Sequence, residues 1–167
     1  ESDIKYLKAI GRVVALALKK MMEHAKPGMT TAELDQIGKE FLEKEGAKSA
    51  PQAMYKFPAA TCISISPVIA HGIPSDHILS EGELINIDVS AELDGYFADT
   101  GGSMVVSKRV PELEKLLTAT RSALAKAVQI AKAGQPLNII GKTIQQEAKQ
   151  NGFNVIYDLT GHGIGHK

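Results

Sequence analysis

Cysteine is almost absent from this sequence: Cys62 is the only one in 167 residues. One thiol cannot form an internal disulfide, so a cross-linked secreted scaffold is excluded. Tryptophan is missing and aromatic residues make up 5%. There is no surplus of charge, with 19 Lys and Arg against 19 Asp and Glu. Neither nucleic acid nor an anionic membrane surface is therefore an expected partner. The longest apolar run, Val13 to Leu18, is far too short to cross a bilayer. No basic leader followed by an apolar stretch opens the chain, and a cytoplasmic location is the expectation. Glu1 stands where an initiator methionine would. What remains is an ordinary globular composition, 44% hydrophobic and 23% charged, at the length of one domain.

Apolar residues at Ile4, Leu7, Ile10, Val14, Leu18 and Met21 are spaced for one face of a long helix, which Pro27-Gly28 ends. Thr30 and Glu33 have the form of a capping box, opening a second helix that Gly46 closes. Residues 62–66 and 83–93 alternate with period two, as strands do. Asp94-Gly95 is a two-residue hairpin turn, and residues 96–106 return as its second strand. Pro111 begins another long helix with Leu113, Leu116, Thr120, Leu124, Ala127 and Ala131 on one face. A shorter helix ends at Asn151-Gly152, and Phe153 to Leu159 reads as a strand.

This order contains a repeat. Lys26 and Lys132, Gly28 and Gly134, and Gly46 and Gly152 are each 106 positions apart. Two related helix–helix–sheet units are expected, about 1–106 and 107–167, the second reaching only its first strand. The sequence thus reads as a single incomplete α/β (α+β) domain.

The hairpin is where chemistry is expected. A turn at Asp94-Gly95 makes cross-strand partners sum to 189, so Asp99 faces Ser90 and lies diagonal to Asp88 on the same sheet face. On spacing alone, Asn86, Asp88 and Ser90 read first as the solvent side of an amphipathic strand. The second reading is a pair of carboxylates converging on one or two cations. His162, within Thr160-Gly161-His162-Gly163-Ile164-Gly165, suits a metal- or substrate-binding loop, with a structural role equally open. His71, in Ala70-His71-Gly72-Ile73-Pro74, reads by itself as structural. His24 is placed to complement a helix dipole, whereas His77 and His166 have no context that assigns them a role. Neither His-Glu-x-x-His nor Gly-x-Ser-x-Gly is present.

Taken together, Ala70-His71-Gly72-Ile73-Pro74, Ile85-Asn86-Ile87-Asp88-Val89, Gly95-Tyr96-Phe97-Ala98-Asp99-Thr100 and the Gly-His-Gly loop resemble the signature segments of type I methionine aminopeptidase. The order and approximate spacing are shared, including the offset of eleven from Asp88 to Asp99. Lys26 to Thr31 and Phe57-Pro58 extend the resemblance over essentially the whole chain. Prolidase and aminopeptidase P share the aspartates and the Gly-His-Gly loop, and the His-Gly-Ile-Pro segment favours methionine aminopeptidase.

The resemblance implies a pita-bread fold of two pseudo-symmetric halves with an antiparallel sheet, the second half incomplete. It implies Asp88, Asp99 and His162 as metal ligands, His71 as a catalytic and substrate-contacting residue, and Phe57, Cys62 and Met54 as the methionine pocket. Divalent ions, normally two (Co, Mn, Fe or Zn), would activate the water that attacks the first peptide bond. The substrates implied are N-terminal methionyl peptides of nascent proteins. The alternatives are an X-Pro peptidase and a non-catalytic binding module of the same fold. The family pattern adds two glutamates and a second histidine after the Gly-His-Gly-Ile-Gly loop, where this sequence has only His166 and Lys167. His166 follows His162 too soon to match, so the chain as given is expected to be inactive or weakly active.

Overall fold

The computed structural model describes residues 2–166, Ser2 by its backbone alone. Two compact units are distinguished: the described residues up to Arg109 together with those from Gly163 on, and Val110–His162.

In the first unit, α1 (Ser2–His24) and α2 (Thr31–Lys44) precede β1 (Lys48–Ser49), α3 (Ala50–Tyr55), β2 (Cys62–Ile65), β3 (Leu84–Leu93) and β4 (Tyr96–Val105). Strand β3 is the centre of an antiparallel sheet. It pairs with β4 along its whole length, and its other edge is shared by β2 and β1. Strict alternation explains the layering. Ile85, Ile87, Val89 and Ala91 are buried with Ile10, Val14, Ala17 and Met21 of α1, and the even-numbered residues of β3 face the other way. The apolar face of α1 differs from the expected one at its start, where Ile4 is 57% exposed. Ile10, Val14 and Met21 are buried as expected and Leu18 packs against them, while the first turns meet β4 through polar and aromatic contacts. Tyr6 stacks on Tyr96 with 5.0 Å between ring centroids, and the Tyr96 hydroxyl donates to Asp3 at 2.7 Å.

Helix α2 opens with the expected capping box, Thr30 and Glu33 each bonding the other's backbone amide. His24 closes α1, its ring Nδ1 lying 2.7 Å from the Lys20 carbonyl oxygen. Asp94 and Gly95 both have positive φ, 54° and 84°, which lets a two-residue turn follow the twist of its strands.

The second unit is an antiparallel pair, α4 (Pro111–Ile130) and α5 (Asn138–Gln150). The buried residues of α4 are Leu117, Ala119, Ala123 and Ala127, whereas Thr120 is exposed and Leu124 is 63% exposed. Small alanines let a partner helix approach closely, and the apolar spacing alone did not separate that stripe from its neighbour. Ser122 and Lys126, one turn apart, both donate to the buried Glu147 of α5. Residues 153–159 form no strand. A strand must pair its backbone groups with a neighbour, and none of the described residues supplies that pairing.

The two helix hairpins end alike. Ala25 and Ala131 donate to Met21 and Ala127, Met29 and Gln135 to Lys26 and Lys132, and Ala47 and Phe153 to Leu42 and Ala148. Each pair of bonds is 106 positions apart, and Gly28, Gly134, Gly46 and Gly152 all lie at φ between 74° and 86°.

Candidate metal centre

The centre of the site is the sheet face of β3 and β4 that points away from α1. The register pairs Ser90 with Asp99 and Asp88 with Gly101, without a bulge, which sets Asp88 and Asp99 diagonally on one face. Gly101 matters here because it brings no side chain. A Cβ at this position would stand 3.7 Å from Asp88 Oδ1 and 3.9 Å from Asn86 Nδ2, so the glycine keeps open the ground that the Asp88 carboxylate overlooks. Asn86 is fixed beside it by donating to Ser103 Oγ at 2.9 Å. Asp88 is half-buried and Asp99 exposed. Paired carboxylates beside a vacant glycine position fit a hard divalent cation, for which oxygen donors are the matching ligands.

Cys62 pairs with Asp88 across β2 and β3 and therefore shares its face. Its thiol is pushed up to about 11, first by burial and then by the negative charge of Asp88, Asp35 and Asp99. It stays a thiol at neutral pH and behaves as a small apolar wall.

The Ala70–Pro74 segment is held against β2. Gly72 donates to Ser64 Oγ at 3.0 Å and accepts from the Ile63 amide at 2.9 Å. A Cβ on Gly72 would stand 2.7 Å from Ser64 Cα and closer still to the Ile63 carbonyl oxygen, so no other residue fits. Its neighbour His71 is exposed at φ 54°, a conformation that L residues rarely adopt. Further along, Ser75 and Thr31 exchange hydrogen bonds, which ties this loop to the start of α2. A side chain kept in a strained backbone by such anchoring is a functional candidate.

Phe57 is half-buried after α3, with its amide bonded to the Pro51 carbonyl at 3.2 Å, and Met54 on α3 is exposed. His162 is exposed at the end of the second unit. The segment that follows it is bound to β4 by a hydrogen bond from the Phe97 amide to the Gly165 carbonyl, 2.9 Å, and His166 meets the Tyr96 ring edge-on. Among the described residues no three His, Cys, Asp or Glu side chains are gathered closely enough to hold a metal ion together. His77 lies 3.1 Å from Glu83.

Sequence reasoning passed over Asp35 and Thr61, which are buried and bonded to one another. The available signal was a carboxylate set within the apolar stripe Leu34, Gly38 and Leu42 of α2. Glu147 was missed for want of such a cue.

The model of metallopeptidase family M24 matches residues 5–167. The chain belongs to that family. Methionine aminopeptidase 2 of Bacillus subtilis (strain 168) is 49% identical over 166 residues, 99% of this chain and 67% of the relative. The crystal structure of methionine aminopeptidase from Rickettsia prowazekii superposes with a TM-score of 0.94 at 36% identity, covering 98% of this chain and 66% of that one. Prolidase from Pyrococcus furiosus shares the fold, with a TM-score of 0.85 at 20% identity over 99% of this chain and 48% of that one. The M24 relationship therefore lies with the methionine aminopeptidases, on the pita-bread fold. This chain spans about two thirds of the length of those relatives.

Proposed function

We propose that the protein carrying this sequence is a metal-dependent aminopeptidase that removes the first methionine from nascent proteins in the cytoplasm. The observation that carries the reading is the Asp88–Asp99 pair, diagonal on one open sheet face over the vacant Gly101 position and beside Cys62. Relatedness to methionine aminopeptidases supports it over an X-Pro peptidase, whose representative shares only the fold. A module that merely binds partners has no physical need for two carboxylates on an open sheet face together with a strained histidine.

In this reading Asp88 and Asp99 hold divalent ions, Co, Mn, Fe or Zn and normally two, and His162, which forms no three-residue ligand cluster with them among the described residues, joins them on the family resemblance alone. When bound, such ions supply Lewis acidity and an activated water at neutral pH. The chain's own residues do the rest. Asp88 and Asp99 bring negative charge that concentrates cations on this face. His71, held out from the Gly72 anchor, offers an imidazole to hydrogen-bond the substrate near the scissile amide. Cys62, Phe57 and Met54 line the pocket for an unbranched apolar side chain, where neutral sulfur and aromatic surfaces suit a thioether. The two helix–helix–sheet repeats, about 1–106 and 107–167, are proposed as halves of one catalytic domain, and their matched hairpin bonds support this. No described helix is long and apolar enough to cross a membrane.

The test is release of methionine from Met-Ala-Ser by the full-length protein with added manganese or cobalt, alongside an Ala-Pro peptide. Methionine release abolished by a chelator is the expected result. Preference for the Ala-Pro peptide, or no metal dependence, would reject the reading. A polypeptide of residues 1–167 alone lacks the further glutamates and histidine of the family pattern. It is expected to bind at most one ion, weakly, and to lose general acid–base help worth about two to four orders of magnitude in rate.

A further inference from the structure

Asp35 is a carboxylate in the interior of the first unit, on the buried stripe of α2. An ionised group is tolerated there only when its oxygens are hydrogen-bonded, and two consecutive residues meet that need. Oδ2 accepts from the Ala60 amide at 3.1 Å, and Oδ1 accepts from the Thr61 amide and the Thr61 hydroxyl, both at 2.7 Å. Bonds to a charged acceptor are the stronger kind. One turn along α2, Gly38 admits Thr61 so closely that a Cβ on the glycine would stand 3.2 Å from Thr61 Cγ2 and 2.5 Å from Met21 Sδ. Thr61 is therefore gripped at its amide, its hydroxyl and its methyl. The next residue is Cys62, which begins β2 opposite Asp88.

The geometry points to Asp35 as a positioning residue for substrate selection: through Ala60 and Thr61 its carboxylate sets where Cys62 stands beside Asp88, and so shapes the pocket for the substrate's first side chain. This rests on the function proposed above, which takes Cys62 as a wall of that pocket. Asp35 touches no substrate in this role and acts through the two amides and the hydroxyl that it holds. Displacements of about 1 Å around a reacting centre can change rates by roughly a hundredfold, so a rigid hold on β2 has consequences for discrimination.

The experiment uses the full-length, metal-loaded protein with two variants. Asp35→Asn keeps the shape but turns one acceptor into a donor that faces the donors of Ala60 or Thr61. Thr61→Val removes only the hydroxyl. Hydrogen exchange at the Ala60 and Thr61 amides is measured against the amides of β3. The ratio of kcat/KM for Met-Ala-Ser to that for Leu-Ala-Ser gives the discrimination, and the amount of folded enzyme cancels from it. In Asp35→Asn, exchange at residues 60 and 61 should accelerate at least about tenfold while β3 stays protected, and discrimination should fall about tenfold. Thr61→Val should lower discrimination less, by about threefold, and it carries the test alone if Asp35→Asn does not fold. Unchanged discrimination with the amides released would make Asp35 merely structural and overturn the inference. Unchanged exchange in a folded Asp35→Asn would overturn its hydrogen-bonded basis. A wild-type protein with no preference for Met-Ala-Ser would reject the proposed function itself, a failure visible before any variant is made.

Discussion

His71 sits at a positive φ that alanine tolerates no better than histidine, whereas glycine adopts it freely. The strain is a property of this one residue, and substitution can separate it from the imidazole's role. His71→Gly should be more stable than His71→Ala by about 1 kcal/mol, the ordinary cost of a left-handed backbone for an L residue. Both should lose most of the activity that the full-length protein shows. Denaturant unfolding of the two variants checks the difference, and equal stability would show that the backbone is not strained. The neighbouring Gly72 was legible in the sequence only as part of a motif. Why it must be glycine, the backbone of Ile63 and Ser64 standing where a Cβ would go, depends on two chain segments meeting.

At the scale of elements, the hairpin was the most readable part of the chain. A two-residue turn leaves a single register, so Asp99 opposite Ser90 followed from numbering alone, and β3 and β4 pair in that way. Helix faces were less readable. Ile4 and Leu124 obey helical spacing yet lie exposed, because adjacent stripes containing Tyr6 or small alanines make the closer contacts. Residues 153–159 read as a strand, but pairing belongs to two segments and cannot be seen in one. Asp35 stands in the apolar stripe of α2, which marks it as buried, but its donors Ala60 and Thr61 come from a distant segment that no spacing in the sequence reveals.

Gly46 and Gly152 close matched helix ends at φ 74° and 80°, and no crowding side chain surrounds either. Alanine at each should therefore cost the same, about 1 kcal/mol, set by backbone conformation alone. Clearly unequal costs in thermal unfolding would argue against equivalent repeats. The α4–α5 pair carries a pH dependence of its own. Hydrogen bonds from Lys126 first, and then Ser122, hold the Glu147 carboxyl below its ordinary value of 4.5, against an opposing effect of desolvation. The folded state thus binds fewer protons than the unfolded one between the two values. Its stabilisation is complete above the unfolded carboxyl's titration and lost as pH falls through the lowered folded value. Melting temperature measured from pH 7 downward should fall in this acid range, and Glu147→Gln should flatten that limb. An unchanged acid limb in the variant would show that Glu147 contributes nothing to it.

For the whole molecule, the central claim is that Asp88 and Asp99, with His162, bind the metal on which aminopeptidase action depends. The hairpin supports the aspartate pair through their shared sheet face and the side-chain-free Gly101 beside Asp88, and membership of a metallopeptidase family supports the metal dependence independently. Calorimetric titration of manganese into the metal-free, full-length protein tests it most directly. Saturable binding is expected in the wild type. Asp88→Asn, Asp99→Asn and His162→Ala should each weaken that binding by at least about tenfold, the least that even the loss of a residue supporting a ligand costs. Undiminished manganese binding in an Asp88→Asn, Asp99→Asn double variant would contradict the account, because the metal would then be held elsewhere.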